Sequence, residues 1–92
     1  LAGISANPYR LAGLYLYGAG REREGQKVFL NMEKLPPCSA CKYSKCFEAS
    51  LWLGYYDYCE KKYEQARQLM EETLVRDFDA LAAKYMLEKL QK

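Results

Sequence analysis

Apolar positions recur along this chain at helical spacing, broken by corners of glycine, charge or proline. Asn7-Pro8 reads as a helix start, with Asn as N-cap and Pro at the first helical position. Leu11, Leu14 and Tyr15 then fall on one helix face, and Gly18 joins that face a turn later. Gly18 and Gly20 end this helix, because two glycines so close together allow backbone angles that bulkier residues resist. Arg21, Glu22, Arg23 and Glu24 make a solvated corner. From Glu24 onward Val28, Phe29, Met32 and Leu35 mark a second amphipathic helix of about three turns. So short a connection makes the two helices antiparallel neighbours.

Pro36-Pro37 ends the second helix, and residues 36–45, "PPCSACKYSK", form a polar loop rich in breakers. Phe47, Leu51, Gly54, Tyr55 and Tyr58 predict a third helix, with Trp52 near its flank. Lys61-Lys62 is a corner. Tyr63, Ala66, Met70, Thr73 and Leu74 predict a fourth helix. Asp77 or Asp79 can cap a fifth, carrying Phe78, Leu81, Ala82, Tyr85, Met86 and Leu90. No segment alternates as a strand would. The expected fold is therefore all-α: antiparallel helical hairpins stacked as a short α-solenoid of about five helices. All 92 residues form one domain. Its parts are a first hairpin over 8–35, a cysteine-bearing loop over 36–45, a second hairpin over 46–76, and a capping or next-repeat helix over 78–91.

The order of elements invites a search for an internal repeat. Residues Leu11-Ala12-Gly13-Leu14-Tyr15-Leu16-Tyr17-Gly18-Ala19-Gly20 resemble the first half of a Sel1-like repeat. The pattern there is Leu-Gly, two residues, Tyr, two residues, then Gly-x-Gly; Ala12 replaces the first small residue. Glu24, Lys27-Val28 and Lys34-Leu35 match its second half. The second unit is closer to the related tetratricopeptide pattern, through Leu53-Gly54, Lys62-Tyr63-Glu64-Gln65-Ala66 and Met70. Asp57, Thr73 and Phe78 depart from it. Aligning Leu53 with Leu11 offsets the units by 42 residues, with the extra length in the loop. In such hairpins small residues let backbones approach, here Ala12, Gly13, Gly54 and Ala66. Large ones fill the space between hairpins, here Tyr15, Phe29, Tyr55 and Met70. The resemblance implies a non-catalytic scaffold that binds a protein or peptide on a helix-lined groove.

Four cysteines, Cys38, Cys41, Cys46 and Cys59, admit three readings. Two disulfides can staple the loop to the third helix, as an even count in a small domain suggests. The resemblance adds that secreted Sel1-like proteins commonly carry cysteines eight residues apart, the separation of Cys38 and Cys46. All four can instead hold one structural zinc, although only one C-x2-C pair is present. Or the thiols are free. Disulfides would imply a secreted or periplasmic protein; free or zinc-bound thiols would imply a cytoplasmic one. The zinc reading also supplies an alternative function, a small four-cysteine module contacting nucleic acid.

Composition narrows the rest. Half the residues are hydrophobic and 28% are charged, so the chain can fold, but a core of this size is marginal without neighbours or staples. The net charge is +2 and no basic block exceeds two residues, which argues against a nucleic-acid footprint. No apolar run approaches the roughly 18 residues of a membrane span. Histidine is absent, which removes the commonest general base and most hydrolase triads. Glu71-Glu72 and Asp77-Asp79 read as solvated or capping carboxylates, and no nucleophile–base pair is visible, so no enzyme is expected and no cofactor. Leu1 stands where Met would open a chain, so a processed product or a piece of a longer protein is expected. The apolar ends of so short an array predict self-association or membership of a longer repeat chain. Nine tyrosines are a heavy load for 92 residues; most read as core or inter-hairpin filler, and the rest can line an exposed groove. Tyr17 and Tyr56 leave the expected buried face most clearly, and with Tyr43 in the loop they are the candidate contact residues.

Overall fold

The computed structural model describes residues 7–36 and 46–91. Five helices follow in order: α1 (Asn7–Gly18), α2 (Glu22–Glu33), α3 (Phe47–Cys59), α4 (Tyr63–Arg76) and α5 (Leu81–Leu90). Among the described residues there is no strand. Each helix packs on its neighbour in the chain: α1 on α2, α2 on α3, α3 on α4, and α4 on α5. The result is a flat stack of 44 × 29 × 17 Å. No described helix is long and apolar enough to cross a membrane.

Both hairpin corners are built alike. At the end of α1 the Arg21 amide bonds the Leu16 carbonyl at 2.9 Å and the Gly20 amide bonds the Tyr17 carbonyl at 3.2 Å. Gly20 has φ +80°, so this is a Schellman ending on the residue type that suits it. At the end of α3 the Lys62 amide bonds Asp57 at 2.8 Å and the Lys61 amide bonds Tyr58 at 3.0 Å. Here the left-handed residue is Lys61, with φ 64°. A side chain in that region is strained, so the second corner is the costlier one.

Close approach follows the same plan. A Cβ built on Gly13 would lie 2.5 Å from Phe29 Cε2, and one on Gly54 would lie 2.9 Å from Met70 Cε. Gly25, buried beneath the Tyr17 ring, stands where Ala66 stands in the second hairpin. Positions 13, 20, 25, 29 and 32 thus correspond to 54, 61, 66, 70 and 73, an offset of 41 residues. The expected offset of 42 is one too long, because it paired Gly54 with Ala12. Ala12 is exposed; Gly13 makes the contact.

The inward face of α1 also differs from the expected one. Leu11 is 60% exposed and Tyr15 72% exposed, so Tyr15 is not a filler between hairpins. Tyr9, Gly13 and Tyr17, four residues apart, face α2 and α3 instead. The cause is composition: α1 is apolar on most sides, and the residue in closest contact is a glycine that hydrophobic spacing does not register. Around it Phe29, Met32, Ala49 and Leu53 form one core, and Leu51, Met70, Ala80 and Ala83 form a second. Trp52 packs against both. At the α3–α4 seam the buried hydroxyls of Ser50 and Thr73 lie 2.7 Å apart, and each reaches a carbonyl of its own helix. Thr73, where the tetratricopeptide pattern has Ala, therefore has a polar partner across the seam.

Helix α5 starts later than expected. Its N-cap position is Ala80, and no side chain caps it. Asp77 shapes the preceding turn, its carboxylate accepting the Asp79 amide at 3.1 Å and its carbonyl accepting the Ala80 amide at 3.1 Å. Phe78 lies in that turn, 70% exposed, and Leu81 and Tyr85 are exposed too. Ala83, Met86 and Leu87 are the residues that meet α4 and α3.

Candidate functional site

The corners of the two hairpins leave a groove of about 520 Å³ between them. From the first hairpin come Leu14, Tyr17, Gly18 and, at the start of α2, Glu22. Helix α3 supplies the opposite wall: Trp52, Tyr55, Tyr56 and Cys59, with Glu60 at its end. Spacing explains the second set, since 52, 55, 56 and 59 recur at i, i+3, i+4 and i+7 along one helix stripe.

Tyr17 organises the groove. Its hydroxyl donates to the Trp52 carbonyl oxygen at 2.9 Å, tying α1 to α3. Its ring lies 5.2 Å from Phe29, 6.1 Å from Tyr55 and 6.4 Å from Tyr56, centroid to centroid. Gly25 on α2 leaves room for it; a Cβ there would meet Tyr17 Cδ1 at 2.5 Å. Trp52 meets Tyr55 edge-on at 5.7 Å and stacks on Phe29 at 6.4 Å. Its indole N–H donates to Glu48 Oε1 at 2.9 Å, and Arg10 of α1 lies 3.7 Å from the other oxygen of that carboxylate. The aromatic wall is thus fixed by hydrogen bonds at both ends.

Electrostatically the site is acidic. Burial pushes the Tyr17 phenol well above its ordinary range, and Tyr56, Asp57, Cys59 and Tyr55 add to the shift. Tyr55 is pushed up by its hydrogen bond and charge interaction with Cys59, then by burial and Glu22. Burial also raises Asp57, against the pull of Lys62. Two carboxylates, Glu22 and Glu60, lie on the lining, and among the described residues that line it there is no cation. Arg21, beside Glu22 in the chain, is paired with Glu24.

These positions revise the sequence-based candidates. Tyr17 is half-buried and Tyr56 is 8% exposed, so neither leaves the buried face as expected. Both nonetheless line the groove, Tyr17 at its centre and Tyr56 in its wall. Tyr43, Cys38 and Cys41 lie outside the described residues. Trp52 and Tyr55 were legible as helix residues but not as walls of a shared groove, since that depends on the hairpins' register.

Helix α3 separates the other two cysteines. Cys46 occupies its N-cap position and Cys59 its last residue, about 20 Å apart at 1.5 Å per residue. Thiolate ligands of one zinc each lie about 2.3 Å from the ion. One ion therefore cannot hold all four cysteines while α3 is intact, and Cys46 and Cys59 are too far apart to be bridged. Cys59 is exposed, and a disulfide from it could reach only Cys38 or Cys41, which lie outside the described residues. Among the described residues no group of three or more ligating side chains could hold a metal.

Comparison with known proteins adds no assignment to this geometry: no family model matches the chain, and neither a curated protein nor a solved structure matches it.

Proposed function

We propose that this chain is a non-catalytic scaffold of the Sel1-like and tetratricopeptide-like type, which holds a protein or peptide in the aromatic groove between its hairpins. The observation that carries this reading is the groove itself. Four aromatic side chains from two hairpins converge on about 520 Å³ of open space. Aromatic side chains that stay partly open to solvent are the usual anchors of recognition surfaces. Tyr55, 40% exposed between Trp52 and Cys59, is the most available of the four.

The repeat-like arrangement supports the same reading. The hairpins share a corner and a glycine contact at an offset of 41 residues. Helix α5 begins 34 residues after α3, and its buried Ala83 stands 34 after buried Ala49, the period of a tetratricopeptide unit. On this reading α5 is the first helix of a next unit. Its exposed face, with Leu81 and Tyr85 and with Phe78 in the turn before it, is the kind of surface that a further hairpin or a second copy covers. A stable monomer in sedimentation at micromolar concentration would remove the second copy.

The test of the groove is selection of displayed peptides on the intact chain, followed by Tyr55→Ala. The reading expects enriched peptides whose binding falls about tenfold or more in Tyr55→Ala, with the helical signal unchanged. Peptides that bind the variant equally well, or no enrichment at all, would overturn it.

A further inference from the structure

We infer that the groove is built for an organic cation, an arginine or lysine side chain of a bound peptide. This inference rests on the groove being the recognition site and goes beyond it by naming the chemistry of the anchor. Two observations carry it together. The first is the aromatic wall. Tyr17 and Tyr55 present tilted rings 6.1 Å apart, and Trp52 stands edge-on to Tyr55. Aromatic faces attract a cation held within about 6 Å of the ring centre, and tryptophan and tyrosine do so most strongly. The second is charge. Glu22 and Glu60 stand on the lining from opposite hairpins, Asp57 lies close enough to act on Tyr17, and among the described residues the lining carries no basic side chain. An anionic ligand would meet the two lining carboxylates, with no basic side chain on the described lining to receive it. An apolar ligand would use the rings but leave the two lining carboxylates without a counterion. A cation satisfies both the rings and the acids.

Arginine suits the site better than lysine. Its planar guanidinium stacks on a ring while its N–H edges donate to carboxylates, whereas an ammonium is a strongly hydrated point charge. The expected order is therefore arginine over lysine over any neutral side chain. A peptide amine that is not a side chain would share the charge but not the plane.

The experiment uses the whole chain and three short blocked peptides, Gly-Gly-X-Gly-Gly, with X arginine, lysine or citrulline. Amide and side-chain NMR shifts are followed to about 10 mM peptide, where millimolar binding is readable. The arginine peptide is expected to shift Tyr17, Trp52, Tyr55 and Glu60. Citrulline, which keeps the shape and loses the charge, is expected to bind about tenfold more weakly or not at all. The double variant Glu22→Gln, Glu60→Gln changes two exposed side chains, its helical signal should match wild type, and it should weaken the arginine peptide about tenfold. Equal binding of citrulline, equal binding by the double variant, or no groove shift with arginine would each overturn the inference. Failure of the groove reading looks different: there, peptides selected from a library map elsewhere on the protein. If they map to the groove but carry no basic residue, the groove stands and the cation does not.

Discussion

Arg76, the last residue of α4, grips the carboxylate of Glu33, the last residue of α2, through two parallel bonds of 2.7 and 2.8 Å. The same guanidinium reaches Glu72 Oε2 at 2.9 Å and the Cys46 carbonyl at 3.0 Å. One side chain therefore joins the ends of α2 and α4 to the start of α3. It also places positive charge at a helix C-terminus, where the macrodipole favours it. Burial lowers the tendency of Arg76 to stay charged, but Glu33 and Glu72 more than offset it.

Removing Arg76 should therefore cost more than removing an ordinary surface charge. Arg76→Ala is expected to destabilise the chain by about 1–3 kcal/mol, since Glu33, Glu72 and the Cys46 carbonyl each lose a donor. The Arg76→Ala, Glu33→Ala double-mutant cycle in urea should give a coupling of at least about 1 kcal/mol. Additive effects would show that the clasp is a surface pair of little weight.

The strained corner gives a prediction of opposite sign. Lys61→Gly should stabilise the chain by about 0.5–1 kcal/mol, because glycine adopts the left-handed backbone without clash. Gly20→Ala, at the equivalent corner, should destabilise it by a similar amount. Chemical denaturation of both variants checks the pair, and the same sign for both would contradict the equivalence of the corners.

Packing makes a matching contrast within α1. Gly13→Ala puts a methyl within 2.6 Å of two Phe29 ring carbons and should cost about 1–3 kcal/mol. Gly18→Ala meets nothing within 4 Å, and it should be neutral or stabilising by up to about 1 kcal/mol. Thermal melts of the two variants measure the difference.

Alkaline pH should weaken the seam through Tyr17. Its folded pKa is raised, so its contribution is fully present below the unfolded value of about 10 and is lost as pH rises beyond it. Tyr17→Phe removes the bond to the Trp52 carbonyl and should cost about 1 kcal/mol at neutral pH. Above pH of about 10 the gap between wild type and Tyr17→Phe should narrow, which urea melts at several pH values would read. A constant gap would mean that the phenol is not held protonated by the fold.

Much of this architecture could be read from residue order. Gly18, Gly20 and Pro36 bracket helices because their backbone preferences are local, whereas Lys61-Lys62 marks its corner only by its charge between two apolar segments. Phe29, Met32, Ala66, Met70 and Thr73 are buried as their spacing on amphipathic helices suggested. The faces of α1 and α3 were less legible. Both are apolar on most sides, and α3 is buried on two faces because α2 and α4 enclose it. Tyr56 is consequently a wall residue rather than an outward one. The clasp of Arg76 on Glu33 joins residues 43 apart and has no local signal at all. The groove shares that difficulty, since it exists only once Tyr17 and Trp52 meet across two hairpins.

The contact of Tyr17 with α3 is the relation from which the groove, its acidic rim and its proposed ligand all follow. Proton–proton NOEs from the Tyr17 ring measure it most directly. The account predicts cross-peaks to Phe29, Tyr55 and Tyr56 together, from two hairpins at once. Cross-peaks from Tyr17 to its own hairpin alone, with Tyr15 instead reaching α3, would contradict it.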